Sequence, residues 1–150
     1  MHRIITLTMN PAVDLSTSVA RVVPTHKLRC TGAEHDPGGG GINVARVVAH
    51  MGGAVTAVYP TGGCSGQLLR RLVDRERLSS VTFDIAEETR FSFTALETDS
   101  GDEYRFVLPG PSLDEAEWQQ GLDTLWQEIA GPDFVVMSGS LPPGVPQDFY

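Results

Sequence analysis

The chain has 150 residues, 41% of them hydrophobic and 20% charged, which suits a globular domain with a buried core and argues against a disordered or fibrous protein. Its net charge of −8, from 19 acidic and 11 basic residues, argues against a nucleic-acid-binding surface. No segment has the apolar length of a membrane span or a secretory signal, so we predict a cytoplasmic protein with no membrane partner.

The beginning of the chain predicts the first buried strand of an α/β sheet. Its β-branched run at 3–9 ends at Asn10-Pro11. Two later blocks, 15–36 and 81–108, consist of short alternating stretches typical of antiparallel strands, with a hairpin turn at 99–102. Because antiparallel blocks do not fit a parallel core, we predict that they form a separate small sheet.

Three helices are predicted from their start signals and apolar stripes. The first follows the glycines at 38–41, the second has Ser65 as its cap, and the third follows residues 112–115, which resemble a capping box. The predicted buried stripes are Val44, Val47, Val48 and Met51; Leu68, Leu69, Leu72 and Val73; and Trp118, Leu122, Leu125, Trp126 and Ile129. Strands at 54–59 and 134–137 alternate with these helices, which predicts a parallel sheet.

The run of four glycines at 38–41 is the first indication of a ligand site. Backbone N–H groups at a helix N-terminus can approach an anion or a hydroxyl oxygen closely when no Cβ intervenes. The run has no Gly-Lys-Ser/Thr ending of a P-loop, and Asn43 occupies the position where a dinucleotide fingerprint has its last glycine. For the glycine run taken alone, a flexible connection without a ligand is the alternative.

Three segments together resemble one protein family. They are Thr-Met-Asn-Pro-Ala-Val-Asp at 8–14, Pro-Gly-Gly-Gly-Gly-Ile-Asn-Val-Ala-Arg at 37–46, and Ser-Gly-Ser-Leu-Pro-Pro-Gly at 138–144. Their order and spacing are similar to the phosphofructokinase B group of ribokinase-like carbohydrate kinases. The resemblance covers the whole chain, but only about the first half of such an enzyme.

The resemblance implies a fold as well as a family. It implies an α/β protein with a partial ribokinase-like three-layer α/β/α core and a small antiparallel β-sheet lid. Residues 1–150 would be the N-terminal part of one kinase domain, with lid strands approximately within 15–36 and 81–108. The C-terminal nucleotide-binding part would be absent, and the lid would pair with a second copy to form a homodimer.

The same resemblance implies a site for a small-molecule sugar phosphate. Its substrate-binding residues would be Asp14, Lys27, Gly38, Gly39, Asn43, Arg90, Arg105, Ser138 and Gly139. Asp14, Asn43 and the glycines would contact sugar hydroxyls, and the three cations would hold the phosphate ester. A helix-start polar residue is the alternative for Asn43. Arg29 is either a cross-subunit contact or a solvated surface arginine.

The implied activity is that of an ATP-dependent, magnesium-requiring kinase. Gly40 replaces the lysine usual in fructose-1-phosphate and tagatose-6-phosphate kinases, and together with the segment 27–31 this favours the minor 6-phosphofructokinase branch. The full-length parent would convert fructose 6-phosphate to fructose 1,6-bisphosphate. The alternatives are a kinase for fructose 1-phosphate or tagatose 6-phosphate, and a non-catalytic sugar-phosphate-binding or dimerising fragment.

No catalytic residue and no metal ligand is assigned within the chain. The family's catalytic base lies in a Gly-Ala-Gly-Asp segment that does not occur in this sequence. We therefore expect ATP and Mg²⁺ to act in the full-length parent, and the 150-residue chain to be inactive alone.

Overall fold

The computed structural model describes residues 2–129 and 134–150, which form eight strands and three helices. In chain order they are β1 (Ile4–Leu7), β2 (Ala12–Val19), β3 (Thr31–Gly38), α1 (Gly40–His50), β4 (Val55–Thr61), α2 (Gly63–Arg75), β5 (Ser80–Asp84), β6 (Arg90–Glu97), β7 (Glu103–Val107), α3 (Glu115–Glu128) and β8 (Phe134–Met137). Within the described part of the chain, no helix is both long and apolar enough to cross a bilayer.

The first sheet is parallel and has the strand order β5-β4-β1-β8. Helices α1 and α2 pack on one face through a cluster that includes Ile42, Ala45 and Leu69, and α3 packs on the other face through Leu125. Every residue of β4 is buried, as expected for a strand covered on both faces. The sequence prediction of a three-layer α/β/α core agrees with this arrangement.

The second sheet, which we call the lid sheet, has the order β3-β2-β6-β7. Its outer pairs are antiparallel, but β2 and β6 run parallel, so the prediction of a purely antiparallel lid is wrong at its centre. The reason lies in the connections. Both β2 and β6 follow a strand of the parallel sheet directly, so both leave its carboxyl edge and enter the lid sheet in the same direction.

The predicted boundaries of the lid strands also need correction. The stretch at 81–84 was expected in the small sheet, but it belongs to β5, which pairs with β4 in the parallel sheet. Phe83 of this strand is buried beside α3. At the other end, the lid sheet begins at Ala12 and not at residue 15. Alternation identifies a strand, but it does not identify the sheet that the strand joins.

The predicted buried stripe of α1 is wrong at Val47 and Met51, whereas Val48 is partly buried and packs against the core. Val47 is 59% exposed and Met51 is 82% exposed, whereas Gly41, Ile42 and Ala45 face the sheet. The helix approaches the end of β1 so closely that a Cβ on Gly41 would lie 2.8 Å from the carbonyl oxygen of Leu7. The close approach at Gly41, together with the burial of Ile42 and Ala45, therefore determines which face of α1 packs.

The predicted starts of α2 and α3 are each displaced by a few residues. The N-cap of α2 is Gly62, and Ser65 lies inside the helix, where its N–H donates to the carboxylate of Glu88 at 3.0 Å. The capping box of α3 is formed by Asp114 and Glu117, with both reciprocal hydrogen bonds 2.9 Å long, and not by residues 112 and 115. Several acidic and hydroxyl residues precede α3, so the sequence was compatible with a capping box at either pair of positions.

Replacing Asp114 with alanine is expected to destabilise the chain, because the N–H of Glu117 loses its acceptor. Loss of an N-cap costs about 1 kcal/mol, so the melting temperature should fall by roughly 2–6 °C. Thermal unfolding followed by circular dichroism measures this. Asp123→Ala, at an exposed position inside the same helix, is the matched control and should not lower the melting temperature. Equal melting temperatures for the two variants would contradict the capping role.

Candidate functional site

The three sequence motifs meet at the carboxyl edge of the parallel sheet. The N–H of Ser138 donates to the carbonyl of Leu7 at 3.1 Å, and the N–H of Gly41 donates to the carbonyl of Ser138, also at 3.1 Å. The N–H of Ile42 donates to Oγ1 of Thr8 at 3.0 Å. These bonds join the end of β1, the start of α1 and the loop after β8 at the edge where open α/β sheets bind ligands.

The glycines of this loop are required by close packing. Gly39 has a φ of +127°, a conformation that residues with a side chain rarely adopt. A Cβ on Gly40 would lie 2.6 Å from Oγ of Ser138 and 2.9 Å from the nitrogen of Gly139. The loop is therefore fixed against its neighbours, which disfavours the alternative of a merely flexible connection.

Asp14 lies on β2 with its carboxylate against Gly38, where a Cβ would overlap the carboxyl group. Asp36 on β3 and Ser92 on β6 are its cross-strand neighbours. Burial raises the pKa of Asp14 above its ordinary value, while Arg90, a hydrogen bond from Ser92 and Arg105 partly oppose the increase. A carboxylate that has lost water but keeps free acceptor sites can gain from hydroxyl donors on a ligand.

Arg90 begins β6 and is anchored by main-chain oxygens. Its Nη1 donates to the carbonyl of Leu108 at 3.3 Å, and its Nη2 donates to the carbonyl of Asn10 at 3.2 Å. Its Nε is buried and has no partner among the described residues. Burial lowers the pKa of Arg90, and the nearby carboxylate of Asp14 raises it. The guanidinium is thus oriented, with an unsatisfied N–H that an anionic ligand could use.

Arg105 lies on the same face of the lid sheet as Asp14 and Arg90. It pairs with Thr94 on β6, which in turn pairs with Ser16 on β2. Because side chains alternate along strands, these positions share a face, which we call the polar face. Arg105 also lines a cavity of about 70 Å³ together with Asp14, Asp36 and Ser92. The predicted carboxylate and two of the three predicted phosphate-binding cations are therefore brought together.

Lys27 is not brought to this group within one copy of the chain. It lies with Arg29 in the exposed loop that joins the far ends of β2 and β3, where both line a different cavity. The five residue steps from Asp14 to Val19 already span about 16 Å of extended strand. The prediction that Lys27, Arg90 and Arg105 form one cluster thus fails within a single chain, because the strand separates them.

The other predicted site residues lie around the glycine loop. Asn43 is exposed in the first turn of α1, where its N–H donates to the carbonyl of Gly39 at 2.9 Å. Ser138 is partly buried against the loop. Gly139 has a φ of +119°, and a Cβ on it would lie 3.4 Å from the nitrogen of Gly40. These residues lie at the carboxyl edge of the parallel sheet, close to Gly38, which the Asp14 carboxylate of the lid sheet contacts.

Four neighbours of the site were not assigned from the sequence. Thr8 and Asn10 belong to the first motif, so their position directly after β1 was an available signal. Asn10 also donates from Nδ2 to Oγ of Ser140 at 3.0 Å, and its buried Oδ1 has no partner among the described residues. Asp36 and Ser92 come beside Asp14 only through strand register, for which the sequence carried no signal.

The described residues do not form a metal site. Across residues 2–129 and 134–150, no three histidine, cysteine, aspartate or glutamate side chains are grouped closely enough to hold an ion. These residues therefore do not fit Mg²⁺ by themselves.

The chain is similar to proteins of known family and structure. A family model described as pfkB family carbohydrate kinase matches residues 5–150. ATP-dependent 6-phosphofructokinase isozyme 2 of Mycobacterium tuberculosis H37Rv is 55% identical over 148 residues, which are 99% of this chain and 44% of that protein. The chain thus spans less than half the length of this curated relative.

Two solved structures of one bacterial protein superpose on nearly the whole chain. Phosphofructokinase-2 from Escherichia coli in complex with fructose-6-phosphate superposes with a TM-score of 0.93 at 42% identity, over 99% of this chain and 49% of that one. The tetrameric inhibited form of the same E. coli protein superposes with a TM-score of 0.91 at 43% identity, over 97% of this chain and 48% of that one.

Proposed function

Because this chain belongs to the pfkB family of carbohydrate kinases, we propose that it forms the sugar-phosphate-binding part of an ATP-dependent 6-phosphofructokinase. The complete enzyme would transfer a phosphoryl group from ATP to fructose 6-phosphate and release fructose 1,6-bisphosphate. The observation that carries this proposal is the grouping of Asp14, Arg90 and Arg105 on the polar face beside the glycine loop.

In this proposal each group has a separate task. Arg90 and Arg105 hold the ester phosphate by charge-assisted hydrogen bonds, and the Asp14 carboxylate accepts from sugar hydroxyls. Gly38, Gly39 and Asn43 contact the remaining hydroxyls, while Ser138 and Gly139 close the sheet edge. The lid sheet, by covering the sugar, excludes water that would compete with the hydroxyl for the phosphoryl group.

The choice of sugar is supported by Gly40, which takes the place of the lysine usual in fructose-1-phosphate and tagatose-6-phosphate kinases. A lysine at this position would begin with a Cβ 2.6 Å from Oγ of Ser138, so this arrangement of the loop has no room for the residue usual in fructose-1-phosphate and tagatose-6-phosphate kinases. We therefore favour fructose 6-phosphate as the substrate. Competition among the three sugar phosphates for binding tests this choice, and stronger binding of either other sugar would reject it.

ATP would be the phosphoryl donor, with Mg²⁺ as its counter-ion in the complete enzyme. Asp14 is committed to sugar hydroxyls in this proposal, so the described residues supply no base for the acceptor hydroxyl. We expect the 150-residue chain to bind fructose 6-phosphate without turning it over, and a version extended to the length of the relatives to be active. ATP-dependent turnover by the 150-residue chain would contradict this division of tasks.

Replacing Arg90 with alanine is expected to weaken fructose 6-phosphate binding by about 1.5–3 kcal/mol, the usual contribution of a hydrogen bond to a charged group. Isothermal titration calorimetry without nucleotide measures this. Arg71→Ala, at an exposed position of α2, is the matched control and should leave the affinity unchanged. Unchanged affinity in Arg90→Ala would remove Arg90 from the phosphate site.

We also propose a homodimer through the face of the lid sheet opposite the polar face. This face is apolar, with Phe93, Ala95 and Tyr104 lining a cavity of about 260 Å³ and Phe106 54% exposed. An apolar surface of this kind favours burial against a second copy. Sedimentation equilibrium should report a dimer for the native chain and a monomer for Phe106→Ser. A native monomer would reject this interface.

In such a dimer, Lys27 and Arg29 would contribute to the partner's site, since their loop borders the apolar face through Leu28. Mixing the Asp14→Asn and Lys27→Met variants tests this. A mixed dimer would have one intact site. Sugar binding should therefore reappear when the two variants, each unable to bind the sugar alone, are mixed. No recovery in dimers verified to be mixed would place Lys27 outside the site.

A further inference from the structure

Arg46 connects the glycine-loop helix to two other parts of the chain. It lies on α1 one turn after Asn43, where its Nε donates to Oε2 of Glu76 at 2.6 Å, just beyond the end of α2. Its Nη1 donates to Oδ1 of Asn43 at 3.4 Å. Its Nη2 lies 3.7 Å from Oδ1 of Asp36 on the lid strand β3. One guanidinium thus contacts α1, the C-cap residue of α2 and the lid sheet.

The contact with Glu76 fixes the guanidinium in place. The side chains of Arg46 and Glu76 are 31% and 24% exposed, so the pair is more shielded than an ordinary surface ion pair. Arginine can serve several acceptors at once because its N–H groups point in fixed directions from one plane. The position of the Nη1 donor beside Asn43 therefore follows from the bond that Nε makes on the opposite side.

The Nη1 donor of Arg46 orients the side-chain amide of Asn43. When Oδ1 of Asn43 accepts from Arg46, the amide is oriented and its NH₂ group is left to donate elsewhere. In the proposed site that group donates to a sugar hydroxyl. Without Arg46 the amide could rotate, and each turn away from the bound orientation would cost affinity for the sugar.

The contact of Arg46 with Asp36 partly compensates a negative charge beside the site. Asp36 lies across from Asp14 on the polar face, and its charge opposes any anionic ligand bound there. Arg46 places a positive charge beside it and joins β3 to α1 immediately before and after the glycine loop.

We propose that Arg46 is a positioning residue of the sugar-phosphate site, which orients the Asn43 amide toward the ligand and fixes the lid strand β3 next to the glycine loop. The proposal rests on the proposed function of the site. It assigns Arg46 no contact with the ligand itself, so its effect on binding must pass through Asn43 and Asp36.

A double-mutant cycle on the 150-residue chain tests the orienting role, with fructose 6-phosphate binding measured by calorimetry. Arg46→Gln and Asn43→Ala should each weaken binding by about tenfold, as expected for one lost hydrogen bond. The double variant should lose clearly less affinity than the two single losses combined, because without the Asn43 amide only the Asp36 contact of Arg46 is left to lose. Arg71→Gln is the matched control and should bind like the native chain.

The outcomes separate this inference from the proposed function. Fully additive effects in the double variant would overturn the orienting role, since a merely structural loss would weaken binding with or without the Asn43 amide. Native-like affinity of Arg46→Gln would also overturn it and would leave the proposed function intact. If the native chain does not bind fructose 6-phosphate, the proposed function fails, and the inference fails with it.

Discussion

Replacing Asp14 with asparagine should weaken fructose 6-phosphate binding by about 100-fold without weakening the fold. A carboxylate that accepts from sugar hydroxyls makes charge-assisted hydrogen bonds of about 1.5–3 kcal/mol, and asparagine offers one neutral acceptor oxygen in their place. Calorimetric titration of the native and variant chains measures the difference. Asp123→Asn on the exposed side of α3 is the matched control and should leave both affinity and stability unchanged.

The stability of this variant follows from the pKa of Asp14. Burial raises the pKa of the folded-state carboxyl above its ordinary value of 3.8. As pH rises from 3.8 to the higher pKa of the folded state, the Asp14 carboxyl of the unfolded chain loses its proton first. Over this interval the folded chain becomes less stable relative to the unfolded chain. At neutral pH the ionised Asp14 therefore costs stability, and neutral asparagine removes that cost. Asp14→Asn should unfold at the same temperature as the native chain or at a higher one.

For Asp14→Asn we expect weaker sugar binding but an unchanged or higher melting temperature. This combination distinguishes a role in ligand binding from a role in stabilising the fold. A residue retained for ligand binding at a cost in stability gives a variant that is stable but binds poorly. A variant that melts markedly lower while keeping its affinity would mean that Asp14 supports the fold and does not hold the sugar.

Gly38→Ala should reduce fructose 6-phosphate affinity nearly as much as Asp14→Asn. The new Cβ would overlap the carboxyl group of Asp14, which can rotate away because it ends a side chain. That rotation removes the carboxylate from its place under the sugar, while the backbone needs to move little. We therefore expect roughly 100-fold weaker binding with only a small fall in melting temperature.

The matched control for Gly38→Ala is Gly52→Ala, at a glycine with a φ of +78° and no atom near its added Cβ. It should lose about 1 kcal/mol of stability from backbone strain and keep its affinity. Combining Gly38→Ala with Asp14→Asn should cause a much smaller loss of binding than the two single losses combined, because both act mainly on one carboxylate. Retained affinity in Gly38→Ala would show that Asp14 is not held by this contact.

The parts of the fold that follow from local pattern could be predicted from the sequence. The β-branched run before Asn10-Pro11, the glycine run before α1 and the strand before Ser138 all indicated elements that end at one sheet edge, and the structure joins them there. The direction of β6 and the membership of β5 could not be predicted, because alternation along a strand carries no information about its partner.

The site was predictable to a similar extent. Asp14, Arg90 and Arg105 came from the family resemblance, and the strand register places them on one face. Lys27 was expected with them, but it lies in the loop at the far end of β2, so the length of that strand separates it from them within one chain. The partners of Arg46 depend on side-chain directions across α1, α2 and β3, which no short segment of the sequence could reveal.

The crystal structure of this chain with fructose 6-phosphate tests the proposed site most directly. We predict that the ester phosphate lies between the guanidinium groups of Arg90 and Arg105, with sugar hydroxyls donating to Asp14 and the ring above Gly38 and Gly39. A sugar phosphate bound away from the polar face of the lid sheet, or bound there with its phosphate remote from both arginines, would contradict the proposal.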